Sequence, residues 1–229
     1  MSRLLLFDID QTLLYTGGAG IRALQKAFVE VFALGEKGAP ALDLAGSTDS
    51  GILRQFVSRM GLADDSERDA RFYEVYLENL ERGLEGADDG FVMRGVVELL
   101  TEARQRHVLG LLTGNIRAGA ALKIERFGVS GFFDMGMGAF GDDHYDRNVL
   151  GPIALERVAA KTGRNFDPAV GEVVVIGDTP KDIRCARAMG AQVVAVATGN
   201  FTVEQLAAEG ADLVVEALSD VRVREFLEG

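Results

Sequence analysis

Leu4-Leu5-Leu6-Phe7-Asp8-Ile9-Asp10-Gln11-Thr12 is an apolar run that closes on two carboxylates, and it reads as a central parallel strand buried on both faces. Alternation along such a strand puts Asp8 and Asp10 on the same side, so both acids face one small volume at its carboxyl end. Like charges held that close repel unless their work is divided. A divalent cation divides it: one carboxylate binds the metal and acts as nucleophile, while the other exchanges a proton. The alternative is an Asx turn in which Asp10 bonds the next backbone amides.

Downstream, Gly17-Gly18-Ala19-Gly20 leads into a helix with apolar positions at Ile21, Leu24, Phe28, Val31 and Phe32. The full GxGxxG spacing of a phosphate loop is absent, and a flexible hinge suits the glycines better. Residues 35–50 read as a loop, followed by helical patterns over about 51–60 and 66–82. With no strand pattern between Thr16 and Gly90, residues 16–89 read as an all-helical insertion on two glycine-bearing linkers. The remaining core is then 1–15 and 90–229. Inside the insertion, Gly46-Ser47-Thr48-Asp49 precedes a helix. Thr48 or Asp49 can be an ordinary N-cap. The functional alternative is a polar tip facing the site, with Ser47, Thr48, Asp49 and Arg54 lining the opening and selecting substrate.

Beyond Gly90 helices and strands alternate, the pattern of a parallel sheet covered on both faces. Helices are expected over 92–106, 116–127, 152–161 and 181–189, and strands over 107–112, 133–137, 172–176 and 192–197. A last short strand at 213–215 precedes a C-terminal helix.

Ligands bind such sheets at the carboxyl ends of the strands. Thr113-Gly114-Asn115 follows one strand and precedes a helix, offering a hydroxyl, a bare amide and a helix N-terminus to an anion. Ordinary capping is the alternative. Together with Thr12 these three are the phosphate-binding candidates. Gly177-Asp178-Thr179-Pro180-Lys181-Asp182 places two acids four residues apart after Val-Val-Val-Ile, where carboxylates are costly unless compensated. Both can reach the cation served by Asp8, or Asp182 can be a solvated residue near the helix dipole. In the loop between, Arg147 is the basic residue nearest a strand end and the candidate cation beside the nucleophile. His144 and Tyr145 are either substrate contacts or exposed loop residues.

These four pieces around a helical insertion resemble the haloacid dehalogenase-like superfamily, in its phosphoglycolate phosphatase-like branch with a helical C1-type cap. Asp8-Ile9-Asp10-Gln11-Thr12 is similar to its first motif and Leu112-Thr113-Gly114-Asn115 to its second. Arg147 is similar to its third, and Gly177-Asp178-Thr179-Pro180-Lys181-Asp182 to its fourth. The resemblance implies an α/β fold, a Rossmann-like parallel-sheet core with an inserted all-helical cap domain. It implies Mg²⁺-dependent hydrolysis of a small phosphate monoester, of phosphoglycolate or sugar-phosphate type, with Asp8 as the nucleophile that becomes an aspartyl-phosphate. Asp10 then protonates the leaving alcohol and activates water. Mg²⁺ is implied on Asp8, the Asp10 main-chain carbonyl and Asp178, with Asp182 bound directly or through water. Gln11 departs from the usual Gly and Arg147 from the commoner Lys, which keeps the charge but widens the contact. A phosphomutase of the same family and a non-catalytic phosphate-binding protein are the rival readings.

Composition bounds the partners. With 229 residues and 48% apolar content the chain can build a real core. Against 35 acidic residues stand 24 Lys and Arg, a balance of −11 that disfavours nucleic acid and anionic membranes as partners. A metal and a few local cations can still hold a small phosphorylated metabolite. The lone Cys185 fits a reducing compartment, only Met1-Ser2-Arg3 precede the first strand, and no apolar run reaches about 18 residues. A cytoplasmic location is therefore expected.

Overall fold

The computed structural model describes residues 2–34 and 40–229, so 35–39, within the expected loop, lie outside the described residues. Leu4–Phe7 forms strand β1, buried at every position. It pairs in parallel with β4 (Val108–Leu112) on one side and β6 (Val173–Gly177) on the other. Adding β5 (Gly138–Ala139), β7 (Gln192–Val196) and β8 (Leu213–Val215) completes a six-stranded parallel sheet of order β5-β4-β1-β6-β7-β8.

Strand alternation sorts the core into two layers. Leu5 and Phe7 face α4 (Val96–Ala103), α5 (Arg117–Arg126) and α9 (Val221–Glu228). Leu4 and Leu6 face α6 (Leu150–Thr162), α7 (Pro180–Met189) and α8 (Val203–Ala208). Cys185 is buried in this second layer. Among the described residues no helix is long and apolar enough to cross a membrane.

Helices α1 (Ala19–Val31), α2 (Asp49–Arg59) and α3 (Ser66–Glu85) bury a cluster of their own around Phe28, Phe56 and Phe72. The Phe28 ring lies 4.4 Å from that of Phe56 and 4.6 Å from that of Phe72. Ile116 joins this cluster from the sheet side. The two linkers meet as an antiparallel ribbon, β2 (Leu14–Tyr15) against β3 (Phe91–Val92).

That ribbon corrects the expected helix over 92–106. Phe91–Val92 is a strand, and the helix begins only at Val96, after Gly95 turns the chain at φ 85°. A side chain on Gly95 would strike the backbone of Ser219. The strand expected over 133–137 is also absent: the sheet edge is Gly138–Ala139. Phe132, Phe133 and Met135 instead fold inward onto the first core layer, with Phe133 edge-on to Phe7 at 5.9 Å, so their apolarity serves packing from irregular chain. Helix α8 was not expected, although Thr202 and Gln205 form its capping box.

Candidate active site

β1, β4 and β6 end side by side, and the chain beyond each supplies one part of a shared cluster. Past β1, the Asp8 amide donates to Ile176 O at 2.9 Å, which anchors that residue beside the end of β6. Beyond Asp8 the chain turns, with Gln11 in the left-handed region at φ 64° and the Leu13 and Leu14 amides donating to Ile9 O. Carboxylate oxygens of Asp8, Asp178 and Asp182, all buried, lie within 4.8 Å of one another. Arg147, on the single turn 147–149 ahead of α6, places Nη2 3.0 Å from Asp8 Oδ1 and also pairs with Asp182. Its Nη1 donates to Gly46 O at 2.9 Å, while its buried Nε has no acceptor among the described residues.

Three carboxylates against one guanidinium leave an excess of negative charge out of water. Burial raises the Asp8 pKa to about 6; Arg147 pulls it down, and Asp182 and Asp10 push it up. Asp178 is raised well above the usual carboxylate range by burial, then by Asp182 and Asp8. Burial opposes the charge on Arg147, but Asp182 and Asp8 outweigh it and hold the guanidinium protonated. Hard oxygen donors in surplus suit a Mg²⁺-like cation. Within the set the roles differ. Asp182 has both oxygens engaged, Oδ1 by Arg147 and Oδ2 by the Thr179 amide (2.9 Å) and hydroxyl (2.7 Å). Asp178 accepts one long bond, from Thr12 Oγ1 at 3.4 Å. Asp8 and Asp178 are thus the residues open to a metal, and Asp182 secures Arg147 and the turn after β6. Gly199 leaves the room that the Asp178 carboxylate occupies, since a Cβ there would overlap Oδ2.

Asp10 has different surroundings. Lys123 Nζ lies 2.6 Å and Asn115 Nδ2 2.8 Å from its Oδ2, and Lys123 also donates to Asn115 Oδ1. Asn115 Nδ2 also reaches Thr113 Oγ1 at 2.9 Å, and Thr113, buried just past β4, helps to lower the Asp8 pKa, so the segment after β4 acts on both acids of the first motif. Lys123 is missing from the sequence reading. Its signal was a charge on the buried face of a helix, in register with Ile116, Ala120 and Ile124. Thr12 is fully buried behind Asp178 rather than on the cavity wall.

The helical unit closes the site from above. Asp49 grips the segment after β4 twice: its amide donates to Gly114 O at 2.7 Å and its Oδ2 accepts from the Ile116 amide at 2.9 Å. Any side chain on Gly114 would overlap Ser47 O, so the bare backbone there is where the cap seats. A cavity of about 200 Å³ remains between the two parts. Asp8, Asp10, Asn115, Arg147 and Asp178 form its floor, and Ile21, Leu24, Leu44, Ile52 and Tyr76 much of its roof. Ser47 and Asp49 border it; Thr48 and Arg54 do not. Thr48 caps α2 through the Gly51 amide and donates to Tyr145 O at 2.7 Å, whereas Arg54 stacks over the Tyr145 ring at 4.3 Å. Those contacts pull both away from the opening that they were expected to line. His144 stacks on Tyr145, outside the cavity.

A family model described as haloacid dehalogenase-like hydrolase matches residues 5–187. A protein described as probable phosphatase IndB, from Dickeya dadantii, is 25% identical over 226 residues, covering 96% of this chain and 92% of that protein. Among solved structures, a hydrolase from Pseudomonas syringae superposes with TM-score 0.72 at 21% identity, covering 98% of each chain. CbbY from Rhodobacter sphaeroides, solved with xylulose-(1,5)bisphosphate, gives TM-score 0.73 at 17% identity over 96% of each chain.

Proposed function

Since the chain belongs to the haloacid dehalogenase-like hydrolases, we propose that it is a Mg²⁺-dependent phosphatase that hydrolyses a small phosphate monoester through an aspartyl-phosphate on Asp8. One observation carries this reading: a buried carboxylate cluster with a single guanidinium, directly beside a second, separately paired carboxylate.

In the first step an Asp8 oxygen attacks phosphorus, the bond to the leaving oxygen breaks, and Asp10 gives that oxygen a proton. In the second, Asp10 takes a proton from water as the water attacks phosphorus and frees Asp8. Arg147 neutralises charge on the transferring group. Asp8, Asp178 and the Asp10 carbonyl would hold Mg²⁺, which when bound would neutralise charge on nucleophile and phosphate. Residues 16–89 act as a cap whose closure excludes bulk water, with Ser47 and Asp49 contributing to substrate choice. The lone cysteine is consistent with a cytoplasmic setting.

Phosphate release from a panel of monoesters, with and without Mg²⁺ and with Asp8→Asn as control, tests the reading. Release that needs both Mg²⁺ and Asp8 is expected. A folded protein that releases none refutes it, and conversion of a hexose 1-phosphate to the 6-phosphate without free phosphate reassigns the chain as a phosphomutase.

A further inference from the structure

We infer that Lys123 is a positioning residue for Asp10: with Asn115 it occupies Oδ2 of that carboxylate, so that the transferable proton resides on Oδ1, toward the leaving oxygen. The inference rests on the phosphatase reading and adds to it a residue outside the four motifs.

Asp10 is the half-exposed acid of the site, its side chain 41% accessible, whereas Lys123 is 3% accessible. A free carboxylate at a cavity edge samples several rotamers, and either oxygen can carry the proton. Here the two donors converge on Oδ2 alone, and Oδ1 accepts no hydrogen bond among the described residues. A neutral carboxyl keeps its hydroxyl proton off an oxygen that already accepts two donors, so the acid form is aimed through Oδ1. In the first step that proton passes from Oδ1 to the leaving oxygen as the phosphorus–oxygen bond breaks. In the second, Oδ1 recovers one from the attacking water.

Lys123 suits this task because its stem rises from α5, part of the core, while Asn115 lies just ahead of the same helix. The two donors therefore move as one body. Its ammonium completes a closed set of contacts with Asp10 and Asn115 Oδ1. The cap comes down directly on it: a Cβ on Gly20 of α1 would lie 3.2 Å from Nζ. The helix thus covers the Lys123 ammonium, and an ion pair with one partner out of water is stronger than one between two exposed groups.

The test is the dependence of kcat/KM on leaving-group acidity across substituted phenyl phosphates, which reports the step in which Asp10 acts as acid. Lys123→Met should cost about 10-fold with p-nitrophenyl phosphate, whose leaving oxygen needs little help. With phenyl phosphate the cost should grow to about 10²–10³-fold, as expected when general acid catalysis is lost. KM should change little, and Lys123→Arg should restore part of the shallow slope. If Lys123→Met does not fold by circular dichroism and thermal melting, Lys123→Gln is measured in its place. An unchanged slope, with all substrates losing equally or not at all, overturns the role of Lys123 alone. Absence of Asp8-dependent release by the wild type overturns the phosphatase reading itself.

Discussion

Asp8 and Asp10 sit two residues apart, yet they end in opposite electrostatic situations. Asp8 belongs to a buried group of three acids served by one guanidinium, and burial lifts its pKa to about 6. Asp10 pairs one to one with Lys123 and stays open to the cavity. The first cluster holds more acid than base and has room for a further cation; in the second, acid and base match. On the proposed mechanism this contrast separates a nucleophile, which needs its charge neutralised from outside, from a proton carrier, which needs to be aimed.

Neutralising one charge in each cluster gives the sharpest contrast. Asp178→Asn removes one of the repelling acids, so without metal the variant should be more stable than wild type, by about 1–3 kcal/mol. Its turnover should fall at least about a hundredfold, and its melting temperature should no longer rise with Mg²⁺. Lys123→Met should instead lower stability, because it strands Asp10. Melting curves in chelator and in Mg²⁺ check both signs, and the same sign for the two variants breaks the comparison.

Asp49 offers an effect of similar size in the cap. Burial raises its pKa from 3.8 to about 6, with Lys123 opposing. A folded-state carboxyl that keeps its proton longer than the unfolded one stabilises at low pH. That stability is lost as pH rises through the folded value, by up to about 3 kcal/mol. Asp49→Asn removes this contribution, so its stability relative to wild type should increase between pH 4 and pH 7. Urea midpoints across that range measure it, and parallel curves count against a buried, titrating Asp49.

The smallest effect concerns Gln11, held at φ 64° on the cavity edge. Gln11→Gly should relieve the left-handed strain and stabilise by up to about 1 kcal/mol, less what the freer unfolded chain takes back. Destabilisation would show that the Gln11 side chain contributes more than its backbone costs.

Much of the site was legible because its residues follow apolar strands in sequence. Asp8, Thr113 and Asp178 each directly follow a largely apolar, buried strand, where a polar residue stands out. Lys123 was not legible in this way, since a single lysine on a helix is ordinary until its face proves buried. Thr48 and Arg54 misled for the converse reason. Their types and positions fit a polar lip, but capping geometry and the Tyr145 ring claimed them first. The expected strand over 133–137 failed because apolar residues mark burial without stating whether the chain is extended.

The sequence alone determined the alternating core, the helical insertion between its glycines, and the four motif segments that identify the family. These depend on local periodicity and spacing, which a chain carries before it folds. Only tertiary structure decided that Arg147 stands between Asp8 and Asp182, that Lys123 comes to Asp10 from 113 residues away, and that Asp49 grips the segment after β4 while Thr48 turns to the Tyr145 loop. Such pairings depend on which strand ends become neighbours and how the cap seats upon them. Those are long-range choices, settled by burying apolar surface while satisfying the charges left inside.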